Sequence, residues 1–277
     1  MTAPHFLTVC GSLRAGSYNA ALLRTAEAEL VRLGATFERF DLMRQIPHFD
    51  QDMEAELPEV VVDMKAKVTA ADGVLFATPA YNGAVTGVLK DWIDWASRPI
   101  GKSVLATRHV GIITASIGPN GGSHAAEYLE RINRAFKANV VSPVLSIPTV
   151  QTALDESATP NEAVTALVNE VAQALVLTAR GAEVIDNETH GCYELHLDGI
   201  VTSRADYGVT SVGDVSVVEL PHTVTEPQHR DHGMASFLIR NILDRISATE
   251  SQRVLPSCHF VAEYIQNHPK YQHLLAG

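Results

Sequence analysis

The segment Gly11–Asn19 (GSLRAGSYN) carries side chains that are suited to holding a phosphate. Glycine lets the backbone turn tightly and approach a ligand, and arginine pairs with phosphate through two donors. An ordinary helix cap would need only one short polar residue, so the combination of Arg with three short polar groups favours a phosphate loop. The glycine spacing is neither the dinucleotide fingerprint nor the lysine-containing NTP loop. The candidate contacts are Ser12, Arg14, Ser17 and Asn19.

Two further loops have the composition of a binding site for a flat ring system. Pro79–Gly83 (PAYNG) combines an aromatic ring with a tight backbone turn, whose N–H groups could address carbonyl oxygens. Taken alone, it would also suit a plain turn. Ser116–Gly122 (SIGPNGG) offers a second, glycine-rich wall. The three loops together therefore predict one site for a phosphate-bearing, planar ligand.

The elements around these loops predict an α/β fold. Short apolar runs alternate with segments of helical periodicity, which is typical of a parallel sheet covered by helices on both faces. Ligands of such sheets lie beyond the carboxyl ends of the strands. The strand-like runs ending near Cys10, Thr78 and Ala115 each lead into one of the three loops. A final strand is expected over Val140–Ile147.

These motifs resemble the NADPH-dependent FMN reductase family over about residues 5–180. The matching text is GSLRxGSxN, PxYNG with LKDWIDW at 89–95, and SxGxxGG. The resemblance implies a flavodoxin-like doubly wound sheet, bound FMN, hydride from NADPH or NADH, a small-molecule electron acceptor, and a homodimer or homotetramer. It places the phosphate on the four side chains named above. It places the ring against Pro79, Ala80, Tyr81, Asn82 and Gly83, with Ser116 and Gly118 on the far side.

The pattern changes after Gly181, where short strand-like runs are separated by turn signals. Asp198-Gly199 between two such runs predicts a hairpin. We expect an antiparallel sheet with helices, a smaller α+β domain. The predicted domains are therefore residues 1–180 and 181–277.

The second half resembles the short GNAT-type N-acetyltransferases over about residues 182–275. The supporting text includes YEL with DG, HTV, RxxGxA, and PSC followed by YI and HP. The resemblance implies acetyl-CoA held over the loop by Gln228, Arg230, Gly233 and Ala235, and an amine as acetyl acceptor. The usual Arg-Gly-x-Gly has Asp231 at its first glycine, and a carboxylate there disfavours pyrophosphate.

Cys258 and His222 are the candidate catalytic residues of the second half. A thiolate is nucleophilic and an imidazole can act as a general base. A buried thiol and a structural imidazole are the alternatives. His229, His232, Cys258 and His259 lack the paired spacing of known zinc modules, so no metal is expected.

Charge and composition limit the remaining classes. The 277 residues carry a net charge of −11, which argues against nucleic-acid binding. We find no uncharged apolar run of about 20 residues and no basic leader, so we expect a cytoplasmic protein without a membrane segment. Three scattered cysteines exclude a disulfide framework.

The sequence thus predicts an NAD(P)H-dependent FMN reductase fused to a GNAT-like domain that transfers acetyl groups. The alternative is a flavin-based electron carrier or redox sensor. Its C-terminal domain would then be a degenerate CoA-binding or interaction module.

Overall fold

The computed structural model describes residues 2–276, which divide into two compact units, the first ending at Ala179 and the second beginning at Arg180. The first unit is built on a parallel sheet. Its strands are β1 (His5–Cys10), β2 (Thr36–Arg39), β3 (Gly73–Thr78), β4 (His109–Ala115), β5 (Asn139–Val140) and β6 (Leu145–Ile147). The order is β2-β1-β3-β4-β5, with β6 also paired to β4. This is the flavodoxin-like order, and it confirms the predicted fold class.

Helices cover both faces of this sheet. They are α1 (Tyr18–Arg32), α2 (Glu59–Ala70), α3 (Gly87–Ala96), α4 (Ser123–Ala135) and α5 (Glu162–Ala179). Val74 and Phe76 of β3 belong to the apolar cluster that also contains the buried side chains of α2, α3 and α4. Leu75, between them, faces the opposite layer, where α1 and α5 pack together. Every residue of β3 is buried, so this strand forms the centre of the unit.

The final strand of the first unit is interrupted, where the sequence predicted one strand over Val140–Ile147. Pro143 lies between β5 and β6, and proline has no N–H to donate to a ladder. Both short strands still pair with β4 in parallel. The predicted position of the strand is therefore confirmed, and the prediction of one uninterrupted strand is wrong.

A buried carboxylate ties α1 to the sheet. Glu27 of α1 accepts a hydrogen bond of 2.6 Å from the Thr8 hydroxyl of β1 and one of 3.0 Å from Nε of Arg39 at the end of β2. Glu27 is 3% exposed, and a buried charge is tolerated only when it is paired and hydrogen-bonded. The three residues therefore fix the position of α1 over β1.

The second unit is a five-stranded mixed sheet with two helices. Its elements are β7 (Glu183–Asn187), β8 (Cys192–Leu197), β9 (Ile200–Val212), β10 (Val215–Thr225), α6 (Met234–Ser247), β11 (Gln252–Leu255) and α7 (His259–Asn267). The order is β11-β10-β9-β8-β7. Asp198 and Gly199 form the predicted hairpin turn with φ of 56° and 76°.

The expectation of an antiparallel sheet is wrong at β11. This strand pairs with β10 in parallel, while the other three pairings are antiparallel. α6 lies between β10 and β11 in the chain, and a crossover helix returns the chain in parallel orientation. The smaller α+β class of this unit is confirmed.

α5 has the length and mean hydropathy of a membrane-crossing helix, with 44% of its residues buried. Its buried residues pack against α1 and β4, as in the core helix of an α/β unit.

Substituting Gly73 by Ala should destabilise the first unit. A Cβ there would lie 2.5 Å from the carbonyl oxygen of His109. Relieving this clash requires a shift of the backbone of a central strand, which costs free energy. We expect a loss of about 1–3 kcal/mol in the free energy of unfolding, measured by urea titration.

Gly87→Ala is the matched control, because nothing lies within 4 Å of a Cβ at Gly87. It should raise stability by about 0.4–1 kcal/mol. Equal effects of the two substitutions would contradict the close packing of β3 on β4.

Candidate functional site

The loop between β1 and α1 is ordered by its own hydrogen bonds. Ser17 caps α1, since its hydroxyl accepts a bond of 3.3 Å from the N–H of Ala20. The Ser12 hydroxyl accepts from the N–H of Arg14 at 3.4 Å, and the N–H of Ser17 donates to the carbonyl of Arg14 at 3.1 Å. The Arg14 guanidinium is exposed and lies 5.0 Å from the ring centre of Tyr18. The loop therefore presents a free cation next to the first turn of a helix.

Asn19 joins this loop to the end of β4. Its amide nitrogen donates to the carbonyl of Ala115 at 3.0 Å. Asn19 is buried, with 3% of its surface exposed, and its Oδ1 accepts no hydrogen bond. Buried polar atoms are nearly always paired, and this oxygen is an acceptor, so it could take an N–H or O–H group of a ligand but not a phosphate oxygen.

The second loop is a rigid two-residue turn. Tyr81 and Ala84 exchange both backbone hydrogen bonds, at 2.9 and 3.1 Å. Asn82 and Gly83 between them have φ of 51° and 76°, which is the turn that an Asn-Gly pair favours. The turn holds the Tyr81 side chain 55% exposed.

The third loop follows β4 and is also held from within. The Ser116 hydroxyl accepts from the N–H of Gly118 at 3.0 Å, and the Thr114 hydroxyl donates to the carbonyl of Gly121 at 3.0 Å. Ile117 between them is 67% exposed. An apolar side chain is thus presented to solvent next to the second loop.

The three loops enclose a cavity of about 500 Å³, within the range typical of small-molecule sites. Eight of the predicted residues line it: Ser12, Arg14, Ser17, Asn19, Pro79, Ala80, Tyr81 and Ser116. The predicted Asn82, Gly83 and Gly118 do not line it and instead shape the turns beside it. Sequence reasoning missed Tyr18, Ala115 and Ile117, which also line it. Each is adjacent in sequence to a predicted residue. Only Ile117, an apolar residue within a polar loop, carried a sequence signal that could have identified it.

The residues of this cavity fit a phosphate-bearing flavin. Arg14, the hydroxyls of Ser12 and Ser17, and the amino terminus of α1 are donors for a phosphate. The carbonyl of Gly11 is held by the Thr86 hydroxyl at 2.6 Å, and a Cβ at Gly11 would lie 2.3 Å from Oγ1 of Thr78. Only glycine therefore permits this approach of β1 to β3 beneath the loop.

Cys10 lies directly before the phosphate loop. Burial raises the pKa of its thiol, which disfavours the thiolate that nucleophilic chemistry needs. Its Sγ lies 3.6 Å from the carbonyl oxygen of Ser12. The Cys10 thiol thus contacts the backbone of the phosphate loop.

The candidate residues of the second unit follow the paired segments of β10 and β11. The strands are paired up to Glu219 and Leu255, and a bulge in β10 follows. Beyond this point the Ser257 hydroxyl donates to Glu219 at 2.6 Å, and the N–H of Cys258 donates to the carbonyl of Leu220 at 2.9 Å. Cys258 is half-buried at the start of α7, whereas His222 is exposed on β10 after the bulge.

The predicted pyrophosphate loop precedes α6. Gly233 stands at the amino end of the helix with φ of 77° and without a side-chain cap, so the first-turn amides, that of Ala235 included, have no intrahelical acceptor. Asp231 has φ of 63°, a region that glycine occupies freely and most residues avoid. Gln228 and Arg230 are exposed, and Nε of Arg230 donates to the carbonyl of Thr225 at 3.4 Å. Asp231 thus has a backbone conformation that favours glycine.

Among residues 2–276, no group of three or more His, Cys, Asp or Glu side chains has the geometry of a metal site.

Residues 4–152 match the family profile of the NADPH-dependent FMN reductases, and residues 192–274 match that of the GCN5-related N-acetyl-transferases. The chain therefore belongs to the NADPH-dependent FMN reductase family, with a GCN5-related segment following the reductase segment. Both recognitions made from the sequence are confirmed.

Two relatives and one solved structure are similar to the first segment. An NAD(P)H-dependent FMN reductase of Pseudomonas aeruginosa is 35% identical over 177 residues, covering 63% of this chain and 94% of the relative. A 2-hydroxy-1,4-benzoquinone reductase of Burkholderia sp is 39% identical over 124 residues, covering 45% of this chain and 67% of the relative. A flavoenzyme NAD(P)H:(acceptor) oxidoreductase of Paracoccus denitrificans superposes with a TM-score of 0.56 at 24% identity, over 62% of this chain and 97% of that structure. The last likeness shows the fold.

Gly11→Ala should lower the amount of flavin that the purified protein retains. The new Cβ would clash with buried Thr78 and displace the loop, so we expect FMN affinity to fall about tenfold or more. The check is the ratio of visible to ultraviolet absorbance after gel filtration.

Gly16→Ala lies in the same loop and serves as the control. Its Cβ would meet only the flexible end of Arg14, at 3.4 Å. Flavin loss of the same size in both variants would show that the clash at Gly11 is not the cause.

Proposed function

We propose that the first unit is an FMN-dependent reductase that oxidises NADPH or NADH and reduces a planar acceptor such as a quinone or a free flavin. The observation that supports this most is the cavity of about 500 Å³, whose lining includes Arg14 and the hydroxyl-bearing Ser12 and Ser17, donors that suit a phosphate. The names of the two relatives above point to the same chemistry. FMN, when bound, accepts hydride from the nicotinamide and passes electrons to the acceptor.

The residues of this chain position the reactants. Arg14 and the start of α1 would hold the phosphate, and the rigid turn at Asn82-Gly83 would keep the backbone beside the ring in one conformation. Tyr81 and Ile117, both exposed apolar surfaces at the cavity, would cover a planar apolar reactant. Positioning of this kind is the main contribution of the protein to cofactor chemistry.

No carboxylate or imidazole is found among the described residues that line the cavity. We therefore assign no side chain as a general acid or base. Protons would be exchanged with water at the open side of the cavity.

An anaerobic visible spectrum before and after addition of NADPH tests the proposal. The protein is reconstituted with FMN, and a bound-flavin band that bleaches with NADPH and returns with air is expected. A bound band unchanged by NADPH and NADH would instead favour an electron carrier or redox sensor. Absence of any bound flavin would refute the proposal.

Arg14→Ala should weaken FMN retention while leaving the fold intact. A hydrogen bond to a charged group contributes about 1.5–3 kcal/mol, so the dissociation constant should rise about 10- to 100-fold. Flavin fluorescence quenching measures it. Arg24→Ala is the control, since Arg24 lies on α1 and does not line the cavity. Unchanged flavin affinity in Arg14→Ala would exclude the phosphate assignment.

For the second unit we propose acetyl transfer from acetyl-CoA to an amine. The support is the family profile over residues 192–274 and the uncapped amino terminus of α6. Cys258 and His222 remain the candidate catalytic residues.

Asp231→Gly should tighten acetyl-CoA binding, because it removes a carboxylate near the pyrophosphate and suits the positive φ. Asp231→Asn separates the two effects, since it removes the charge alone. We expect about a fivefold gain for Asn, equivalent to about 1 kcal/mol, and a larger gain for Gly, measured by titration calorimetry. No heat from acetyl-CoA with any of the three proteins would contradict acetyl transfer.

A further inference from the structure

A groove of about 470 Å³ lies at the surface of the first unit, between α1 and the loop that leads into α5. Its size falls within the range typical of small-molecule sites. None of the described residues that line it also lines the flavin cavity. The groove is therefore separate from the site that the proposed FMN reductase activity uses.

One wall of the groove is a stripe of α1. The stripe consists of residues three or four positions apart, which share one face of a helix: Ala21, Arg24, Ala28 and Arg32. It extends over three turns, about 16 Å along the helix axis. The small side chains of the two alanines leave a space that the two arginines border.

A hydrogen-bonded ion pair fixes one end of this stripe. Glu29, which is 4% exposed, accepts hydrogen bonds of 2.6 and 2.7 Å from the guanidinium of Arg32. It also accepts one of 2.7 Å from the side-chain amide of Gln173, which ties α1 to α5. Because Glu29 neutralises Arg32, the pair holds the shape of the groove and leaves Arg24 to set its charge.

The opposite wall is a loop that its own hydrogen bonds hold in one conformation. The Asp155 carboxylate accepts from the N–H groups of Ser157 and Thr159, both at 2.8 Å, and the N–H of Asp155 donates to the carbonyl of Thr159 at 3.0 Å. The side chains of Ser157 and Thr159 line the groove, and neither hydroxyl makes a hydrogen bond with another described residue. Both hydroxyls can therefore donate to a ligand and accept from it.

Arg24 supplies the charge that a ligand of this groove would meet. Its side chain is exposed, and no hydrogen bond, ion pair or ring contact holds its guanidinium within residues 2–276. The side-chain amide of Asn169 on α5, another half-buried lining residue, is equally without a hydrogen-bond partner among them. Arg24 and Arg32 are positive and Glu29 is negative, so the charged side chains of the described lining sum to +1.

We propose that this groove binds a small hydroxylated carboxylate of the sugar-acid type. The guanidinium of Arg24 pairs with a carboxylate through two donors, and a lining charge of +1 matches one carboxylate better than a polyanion. The hydroxyls of Ser157 and Thr159 and the amide of Asn169 suit ligand hydroxyls, which also both donate and accept. The described lining residues include no aromatic side chain, so the groove lacks the stacking surface that a planar ring would use.

Titration calorimetry of the full chain, saturated with FMN, tests this proposal with gluconate as the probe. FMN occupies the flavin cavity, so a saturable heat from gluconate reports a different site. Arg24→Gln removes the charge and keeps a polar side chain, and it should raise the dissociation constant of gluconate about fivefold or more. Ala28→Leu fills the space between the arginines with a good helix former and should abolish saturable binding. Both variants should retain FMN as wild type does.

Three controls make the comparison specific. Glucose keeps the hydroxyls without the charge, and acetate keeps the charge without the hydroxyls, so both should bind more weakly than gluconate. Arg131→Gln removes an exposed arginine of α4, which does not line the groove. This variant has the same net charge as Arg24→Gln and should keep the wild-type affinity for gluconate.

The possible results separate this inference from the reductase activity. The titration involves no turnover and is also possible without FMN, so a failure of the reductase proposal leaves its result readable. No saturable heat from gluconate with wild type would overturn the site, and so would equal gluconate affinities of wild type, Arg24→Gln and Ala28→Leu. Saturable binding of ribose 5-phosphate without binding of gluconate would overturn the choice of a carboxylate.

Discussion

The buried carboxylate of Glu27 is the constraint on which the first unit depends. It carries a charge inside the layer between α1 and the sheet, where an unpaired charge would cost several kcal/mol. Thr8 and Arg39 pair with it from β1 and from the end of β2. Because both partners belong to adjacent strands, α1 has one position and one rotation in which the carboxylate is satisfied. Apolar contacts alone would tolerate small shifts of the helix.

The geometry of the phosphate loop follows from that position. α1 begins immediately after the loop, so the placement of the helix determines where its first-turn amides and the cap Ser17 stand. Two turns before Glu27, Asn19 reaches across to the carbonyl of Ala115 and links α1 to the end of β4. The first and third loops are thereby held at a fixed separation. The cavity between them exists because the helix is anchored at two points along its length.

Much of this arrangement could be predicted from the sequence, because the signals are local. The run GVLFAT is β3 from Gly73 to Thr78 as expected, and Asp198-Gly199 is the turn that the pair favours. The break at Pro143 and the parallel direction of β11 depend on which strand lies alongside, which periodicity does not report. The side chains that only shape turns, such as Asn82, could not be told from those that face the cavity, because both occur in the same short motif. The burial of Arg240 on α6 could not be predicted either, since a basic residue in an amphipathic helix is usually exposed.

The cations proposed to hold a phosphate have different surroundings in the two units. In the first, the cation intended for phosphate is Arg14, exposed and stacked on Tyr18, so the apo protein bears little cost for keeping it. In the second, the exposed cation of the loop is Arg230, whose Nε donates to the carbonyl of Thr225 at 3.4 Å, and Asp231 next to it brings a negative charge. That carboxylate offsets part of the attraction of Arg230 for an anion. A phosphate should therefore be held less tightly by the second loop than by the first.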